Sequence, residues 1–259
     1  MIAYFSGTGN SLYVARHLAD ELGETLMPMT LPSSIQDEVV GLVFPVYAWG
    51  IPNVVERFVR SDAFRAIPKE CYLYAVMTCG DDMGYADRVL EGAMGRNLDA
   101  AFSVLMPNVY VCLPGFDVDD KEVCREKFVK EEATVKGIAA YVSERRAVHL
   151  LRRGCFPRTK TYVIRPLFNR FLVTDRYFRV DATKCVSCGR CRKMCPVGNI
   201  LLVTIDGERE AEPREMPQWQ SRCTGCLACY HACPYHAINY GRMTQRKGQY
   251  RFPPIAGGG

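Results

Sequence analysis

Ile2-Ala3-Tyr4-Phe5 runs directly into Ser6-Gly7-Thr8-Gly9-Asn10-Ser11, and this junction decides the fold of the first half of the chain. The first four residues predict a strand, and the next six a glycine-rich turn. After the turn Leu12, Ala15, Leu18, Ala19 and Leu22 recur at helical spacing and stop at Gly23, a left-handed C-terminal cap. A glycine turn that opens a helix presents consecutive backbone N–H groups to an anion, and the hydroxyls of Ser6, Thr8 and Ser11 add donors. The junction therefore predicts a phosphate cradle. It is not a dinucleotide fingerprint, because the third small position is taken by Leu12, and it lacks the Gly-Lys-Ser/Thr of a nucleoside-triphosphate loop.

Outward from this junction, short apolar runs alternate with helical patterns to about Val148. Strands are predicted at Ile2 to Phe5, Thr25 to Pro28, Val39 to Phe44, Tyr72 to Met77 and Phe102 to Met106. The third and fourth are almost wholly apolar, as strands covered on both faces must be. Pro52 opens a helix carrying Val55, Phe58 and Val59; another starts near Tyr85 with Val89, Leu90 and Ala93 inward, and the last runs from about Asp119 to Arg145. Right-handed crossovers then give an α/β fold, a doubly wound five-strand parallel sheet.

The loop Ser6 to Ser11, placed after strand one of such a sheet, resembles the FMN phosphate loop of flavodoxins, and the likeness spans residues 1–148. The resemblance implies FMN, with its phosphate at Ser6, Gly7, Thr8, Gly9, Asn10 and Ser11. Ligands of doubly wound sheets sit past the carboxyl ends of the strands, so the loops after strands three and four are expected to hold the flavin ring. These are Pro45-Val46-Tyr47-Ala48-Trp49-Gly50 and Thr78-Cys79-Gly80-Asp81-Asp82-Met83-Gly84-Tyr85. Tyr47 or Trp49 is expected against one face and Tyr85 near the other. The loop from Pro107 to Asp120, with Asn108, Tyr110 and Cys112, is a candidate wall for a small-molecule pocket above the ring.

Composition sets the class. A chain of 259 residues, 48% hydrophobic and 24% charged, is neither disordered, collagen-like nor a heptad rod. The net charge of +5 is too small for a dedicated nucleic-acid binder, but it is unevenly divided. Residues 1–150 carry 14 Lys/Arg against 21 Asp/Glu, and residues 151–259 carry 19 against 7. The uncharged runs Val39 to Val55 and Ala100 to Phe116 fall short of the ~20 apolar residues of a spanning helix. With no signal-like segment at Met1, a cytoplasmic protein is expected, in which thirteen cysteines point to metal ligation rather than crosslinks.

Residues 149–180 break the βα rhythm, with eight basic residues against the single acid Asp175 and with Phe156, Tyr162, Phe168, Phe171, Tyr177 and Phe178 between them. They read as a basic, aromatic connector whose apolar residues clamp two domains; a membrane-surface segment is the alternative. Beyond it the chain repeats one device at an offset of 38 residues: Cys185-x-x-Cys188-x-x-Cys191-x-x-x-Cys195-Pro196, then Cys223-x-x-Cys226-x-x-Cys229-x-x-x-Cys233-Pro234. The two-residue spacers put three thiolates on one tight loop, where they can cap three irons of a cubane. Zinc would take its ligands as two pairs, whereas each run here offers three plus one and a proline. Gly189 and Gly225 suit backbone wrapped closely around sulfide. The tail 242–259 reads as solvated.

From Asp181 to Gly241 the chain resembles bacterial-type ferredoxins that carry two [4Fe-4S] clusters, apart from a charged insertion at Asp206 to Gln218. This resemblance implies a small α+β domain in which the fourth cysteine of each run serves the other cluster. One cluster would use Cys185, Cys188, Cys191 and Cys233, and its twin Cys223, Cys226, Cys229 and Cys195. The whole chain resembles the flavodoxin–ferredoxin fusion proteins of anaerobes. It divides into a flavodoxin-like domain at 1–148, the connector, a ferredoxin domain at 181–241 and the tail. The expected function is passage of single low-potential electrons between two [4Fe-4S] clusters and FMN, with a redox protein as partner, an acidic one if the basic face recruits it. A ferredoxin-coupled FMN reductase acting on a small organic substrate is the alternative.

Overall fold

A computed structural model describes residues 1–205 and 213–252 of the chain. Two units emerge, and neither is continuous in sequence: the first comprises Met1–Asn108 and Asp120–Leu172, the second Val109–Asp119 and everything from Val173.

The first unit is a six-stranded, wholly parallel sheet. Its elements are β1 (Ile2–Tyr4), α1 (Asn10–Leu22), β2 (Leu26–Pro28), β3 (Val39–Pro45), α2 (Asn53–Val59), α3 (Asp62–Arg65), β4 (Tyr72–Cys79), α4 (Ala86–Met94), β5 (Ala100–Leu105), α5 (Lys121–Ser143) and β6 (His149–Leu150). The strand order is β2-β1-β3-β4-β5-β6. Its first five places follow the flavodoxin-like order, with the chain reversing direction across the sheet at β1 and β3. All five expected strands form. The sixth was not expected: it pairs only Ala101 with His149 and Phe102 with Leu150, too short to carry a periodic signal.

Burial explains the order. Every residue of β4 is buried, and β3 is buried from Val40 to Phe44, because helices cover both faces. Val14, Ala15 and Leu18 of α1 pack with Val135, Ile138 and Val142 of α5 on one face. Gly41 is required in β3, since a side chain there would run into the ring of Tyr74 on β4. Gly23 ends α1 in the left-handed conformation with its N–H on Ala19 O, and Asp120 caps α5 by accepting from Val123 N at 2.9 Å.

The connector is not a free-standing piece. Up to Leu172 it belongs to the first unit, forming a continuous helical stretch from α6 (Pro157–Thr159) through a wide π turn at Lys160–Ile164 to α7 (Arg165–Leu172). Polar side chains anchor it, and Tyr162 adds a ring contact with Tyr85 at 6.1 Å. Lys160 pairs with Asp82 at 2.6 Å, Thr161 donates to Trp49 O at 3.0 Å and Arg165 to Ile51 O at 3.2 Å. Phe156, Tyr162, Val163, Leu167 and Phe171 are exposed. Asp82 and the carbonyls of Trp49 and Ile51, all in the same unit, offer acceptors that these polar side chains satisfy.

The second unit is built from β7 (Phe178–Val180), α8 (Arg190–Lys193), β8 (Ile200–Ile205), β9 (Arg214–Trp219), α9 (Ala228–Ala232) and β10 (Ile238–Tyr240). β7 pairs antiparallel with β10, and β8 with β9. Part of the charged insertion therefore forms a strand; its residues 206–212 lie outside the described residues. Val111 and Cys112, from the segment between β5 and α5, are buried in this unit's core with Phe178, Ile200, Tyr230 and Ile238. His231 holds the segment: Tyr250 N donates to its Nδ1 at 3.0 Å, so Nε2 carries the proton and donates to Val109 O at 2.8 Å. Lys247 donates to Phe116 O at 2.8 Å and Gly248 N to Asp117 Oδ1 at 2.9 Å. The tail is consequently packed onto this unit as far as Tyr250, with Thr244 and Tyr250 buried and Arg242, Met243, Gln245 and Arg246 exposed; residues 253–259 lie outside the described residues.

Candidate functional site

In the first unit the glycine turn leads into the start of α1, at the reversal point of the sheet. Gly9 has φ 105°, a conformation that favours glycine, and α1 begins without a side-chain cap and without an acid in its first turn. Ser6, Gly7, Thr8 and Gly9 are half-buried, while Asn10 and Ser11 are buried. Gly9 N donates to Ser6 Oγ at 3.2 Å. The side chains of Asn10 and Ser11 turn inward: Asn10 donates to Pro107 O at 3.0 Å, and the Ser11 and Thr78 hydroxyls share a 2.7 Å hydrogen bond. These two bonds fix the cradle to the ends of β4 and β5. Ser6 and Thr8 are left as the hydroxyls that flank the turn.

The loop after β3 is a tight turn in which Tyr47 and Gly50 exchange backbone hydrogen bonds of 3.0 and 3.1 Å, with Ala48 and Trp49 at positive φ. Val46 N donates to Thr78 O at 2.8 Å, coupling this loop to the one after β4. Tyr47 meets the edge of Phe5 at 6.4 Å, and Lys160 lies 5.4 Å from the Trp49 ring centroid. The loop after β4 is clasped by the connector and by α5. Arg152 donates to Asp81 O at 2.8 Å, Lys127 to Gly80 O at 2.8 Å, and Tyr85 N to Thr161 Oγ1 at 3.0 Å. Arg153 forms a two-pronged ion pair with buried Asp87, both bonds 2.8 Å, and its guanidinium lies 4.7 Å from the Tyr85 ring centroid. Tyr85 thus already carries a cation. Cys79 is buried, and burial beside Asp82 and Asp81 pushes its thiol up to about 12, so it stays protonated and unreactive. Of the loop expected to roof the ring, Asn108 stays with the first unit, whereas Tyr110 and Cys112 belong to the second.

The second unit gathers the eight repeated cysteines into two recesses. Cys185, Cys188, Cys191 and Cys233 line one; Cys195, Cys223, Cys226 and Cys229 line the other. Each run therefore sends its fourth cysteine across to its partner's recess. The backbone makes this possible through left-handed turns at Ser187, Gly189, Gly225 and Leu227. Backbone N–H groups point at sulfur: Asn199 N to Cys195 at 3.2 Å, Gly225 N to Cys223 at 3.3 Å and Ala237 N to Cys233 at 3.3 Å. Burial pushes the Cys226 thiol up to about 12 and Cys223 to about 11, so thiolates there require a cation at their centre. Among the described residues no three ligating side chains converge on one point as a single ion demands. Four thiols line each recess, the number of cysteines that one [4Fe-4S] cluster takes.

Sequence reasoning did not single out three residues here. Asn199, 1% exposed, accepts from Gln220 N and Arg222 N at 3.2 and 2.7 Å and donates to Asp175 at 3.0 Å, so it locks the end of one cysteine run against the start of the other. Trp219 and Thr224 line the second recess. A polar residue just before the apolar run Ile200 to Val203 was the one available sign for Asn199; the other two have none.

Residues 184–238 match the 4Fe-4S dicluster domain family. Ferredoxin-3 of a Nostoc species is 30% identical over 74 residues, which span 25% of this chain and 76% of that protein. Among solved structures, the flavodoxin of Streptococcus pneumonia TIGR4 is similar with TM-score 0.35 and 15% identity, over 54% of this chain and 97% of the flavodoxin. Rubredoxin oxygen:oxidoreductase from the anaerobe Desulfovibrio gigas is similar with TM-score 0.37 and 18% identity, over 56% of this chain and 36% of that one. Sheet order and cysteine recesses together define a flavodoxin-like domain fused to a 4Fe-4S ferredoxin domain, a class built for electron transfer. Through its second unit the chain belongs to the ferredoxin family. Among the described residues no helix is long and apolar enough to cross a membrane.

Proposed function

We propose that the chain is an electron carrier holding two [4Fe-4S] clusters and one FMN, and that it passes single low-potential electrons between them. The observation that carries this reading is the crossed gathering of eight thiols into two recesses, each with four. The clusters would supply one-electron carriers, and the flavin a store that fills with two electrons one at a time. The chain's own residues supply the seats. Cys185, Cys188, Cys191 and Cys233 hold one cluster, and Cys223, Cys226, Cys229 and Cys195 the other, with backbone N–H groups facing their sulfurs. Ser6, Thr8 and the N–H groups of the glycine turn would hold the FMN phosphate, and the loops at Pro45 to Gly50 and Thr78 to Tyr85 would flank the ring. Exposed basic residues such as Arg170, Arg176 and Arg190 suit an acidic redox protein as partner.

The test is anaerobic purification followed by cofactor analysis: about eight iron, about eight sulfide and about one FMN per chain are expected. Dithionite should then reduce iron and flavin together. Protein that stays colourless with iron and riboflavin in excess refutes the proposal.

A further inference from the structure

We propose that the indole N–H of Trp219 and the hydroxyl of Thr224 donate hydrogen bonds to sulfur of the cluster in the second recess, and that these donors raise its reduction potential. The inference rests on the reading of that recess as a cluster seat. Trp219 Nε1 and Thr224 Oγ1 are buried, and neither makes a hydrogen bond within the protein. Both residues line the recess formed by Cys195, Cys223, Cys226 and Cys229. Folded proteins seldom leave a buried donor unmet, so two around one seat call for an acceptor that the polypeptide does not provide.

The donors are also held in place. Trp219 stacks on Phe178 with ring centroids 5.0 Å apart and planes 4° from parallel, which fixes the direction of its N–H. Thr224 is 2% exposed and sits between the ligand Cys223 and Gly225.

The first recess is built differently. Val186, Leu202, Pro217 and Ile238 line it, its one serine, Ser187, spends its hydroxyl on Glu215 O at 2.6 Å, and its other polar lining residues, Arg190 and Tyr235, are exposed to water. Its ligand Cys188 is exposed, so water can stabilise added charge there, although Cys191 and Cys233 of the same recess are buried, as Cys229 is in the second. An electron entering a cluster from a donor such as dithionite increases the negative charge on its sulfurs, and no proton need move with it. Hydrogen bonds to those sulfurs strengthen on reduction and favour it. Trp219 and Thr224 thereby stabilise added charge from within the protein at the second cluster, none of whose four ligands is exposed.

The test is a redox titration of anaerobic holoprotein followed by electron paramagnetic resonance, for the unaltered chain and for Thr224→Val, Thr224→Ser and Trp219→Phe. The transition missing from Cys195→Ala identifies the second cluster. Loss of either donor should weaken reduction of that cluster about tenfold, about 59 mV for one electron, and leave the first transition in place. Thr224→Ser keeps the hydroxyl and should match the unaltered chain. Unchanged potentials in Thr224→Val and Trp219→Phe, with both cluster signals at full strength, overturn the inference. Equal shifts of both transitions also overturn it, since they would report general loosening. If Trp219→Phe loses its cluster, the isosteric Thr224→Val decides alone. Iron content below two four-iron clusters in the unaltered chain refutes the underlying seat assignment and is measured first.

Discussion

Replacing Asn199 with alanine tests whether the two cysteine runs are held in register by one side chain. The Asn199 amide accepts from Gln220 N at 3.2 Å and Arg222 N at 2.7 Å and donates to Asp175 Oδ2 at 3.0 Å, all at a residue 1% exposed. Alanine strands the Arg222 N–H and removes the amide donor from a carboxylate, while the Gln220 N–H keeps its 2.9 Å bond to the Asn199 carbonyl. A buried polar group left unmet costs about 1–3 kcal/mol, so the low end of that range at two groups gives a loss of about 2 kcal/mol. At ~1.4 kcal/mol per tenfold, this is a factor of about 30 in the opening equilibrium of the second unit. The assay is bleaching of the cluster absorbance in guanidinium under argon, where loss of iron follows opening. The comparison is Gln220→Ala, which keeps the backbone N–H and should change stability by no more than about 0.5 kcal/mol. Bleaching of Asn199→Ala within twofold of the unaltered chain would refute the reasoning.

Cys195→Ala should lower iron from about eight to about four per chain and remove the cluster of the second recess, although Cys195 belongs to the first run; selective loss of the other cluster on iron analysis and resonance spectroscopy would contradict the crossed seats. Gly41→Ala forces a methyl against the buried Tyr74 ring and should destabilise the first unit by about 1–3 kcal/mol in urea, with cluster content unchanged. Glu131 is buried between α1 and α5 with Oε1 unpartnered; burial raises its pKa above 4.5, and His17, 3.1 Å from Oε2, opposes the rise. The folded form therefore holds its proton more tightly than the unfolded chain, and this contribution to stability fades as pH rises from about 4.5 through the raised folded value. Glu131→Gln should flatten that fall, measured by thermal unfolding of the first unit from pH 4 to 8; an unchanged pH profile would count against it.

The readable parts of this sequence were those whose signals are local. Apolar runs at β3 and β4 betray strands covered on both faces, Gly23 marks a helix end, and two-residue spacings announce the cysteine loops. The unreadable parts depend on distant neighbours. Nothing around Val109 to Asp119 reveals that His231, 122 positions from Val109, will hold it in the other unit's core. The acceptors of the connector's polar side chains lie on the loops after β3 and β4, which no local pattern connects to Lys160 or Thr161. Ser11 looked like a donor to phosphate and instead meets Thr78, 67 positions away. Trp219 and Thr224 stand out only once the recess around them has walls.

The cluster-bearing half of this molecule is not a detachable cassette. A gene fragment beginning at Val173 would encode all eight cysteines yet omit residues 109–119. His231 would be left without its acceptor at Val109, and Lys247 and Gly248 without theirs at Phe116 and Asp117. A protease nick after Leu172 would cut only one of the three places where the backbone passes from one unit to the other, so the fragments would stay tied through the remaining two. Recombination that trades this module between genes must therefore carry both pieces, and an excised version needs the eleven-residue segment grafted back.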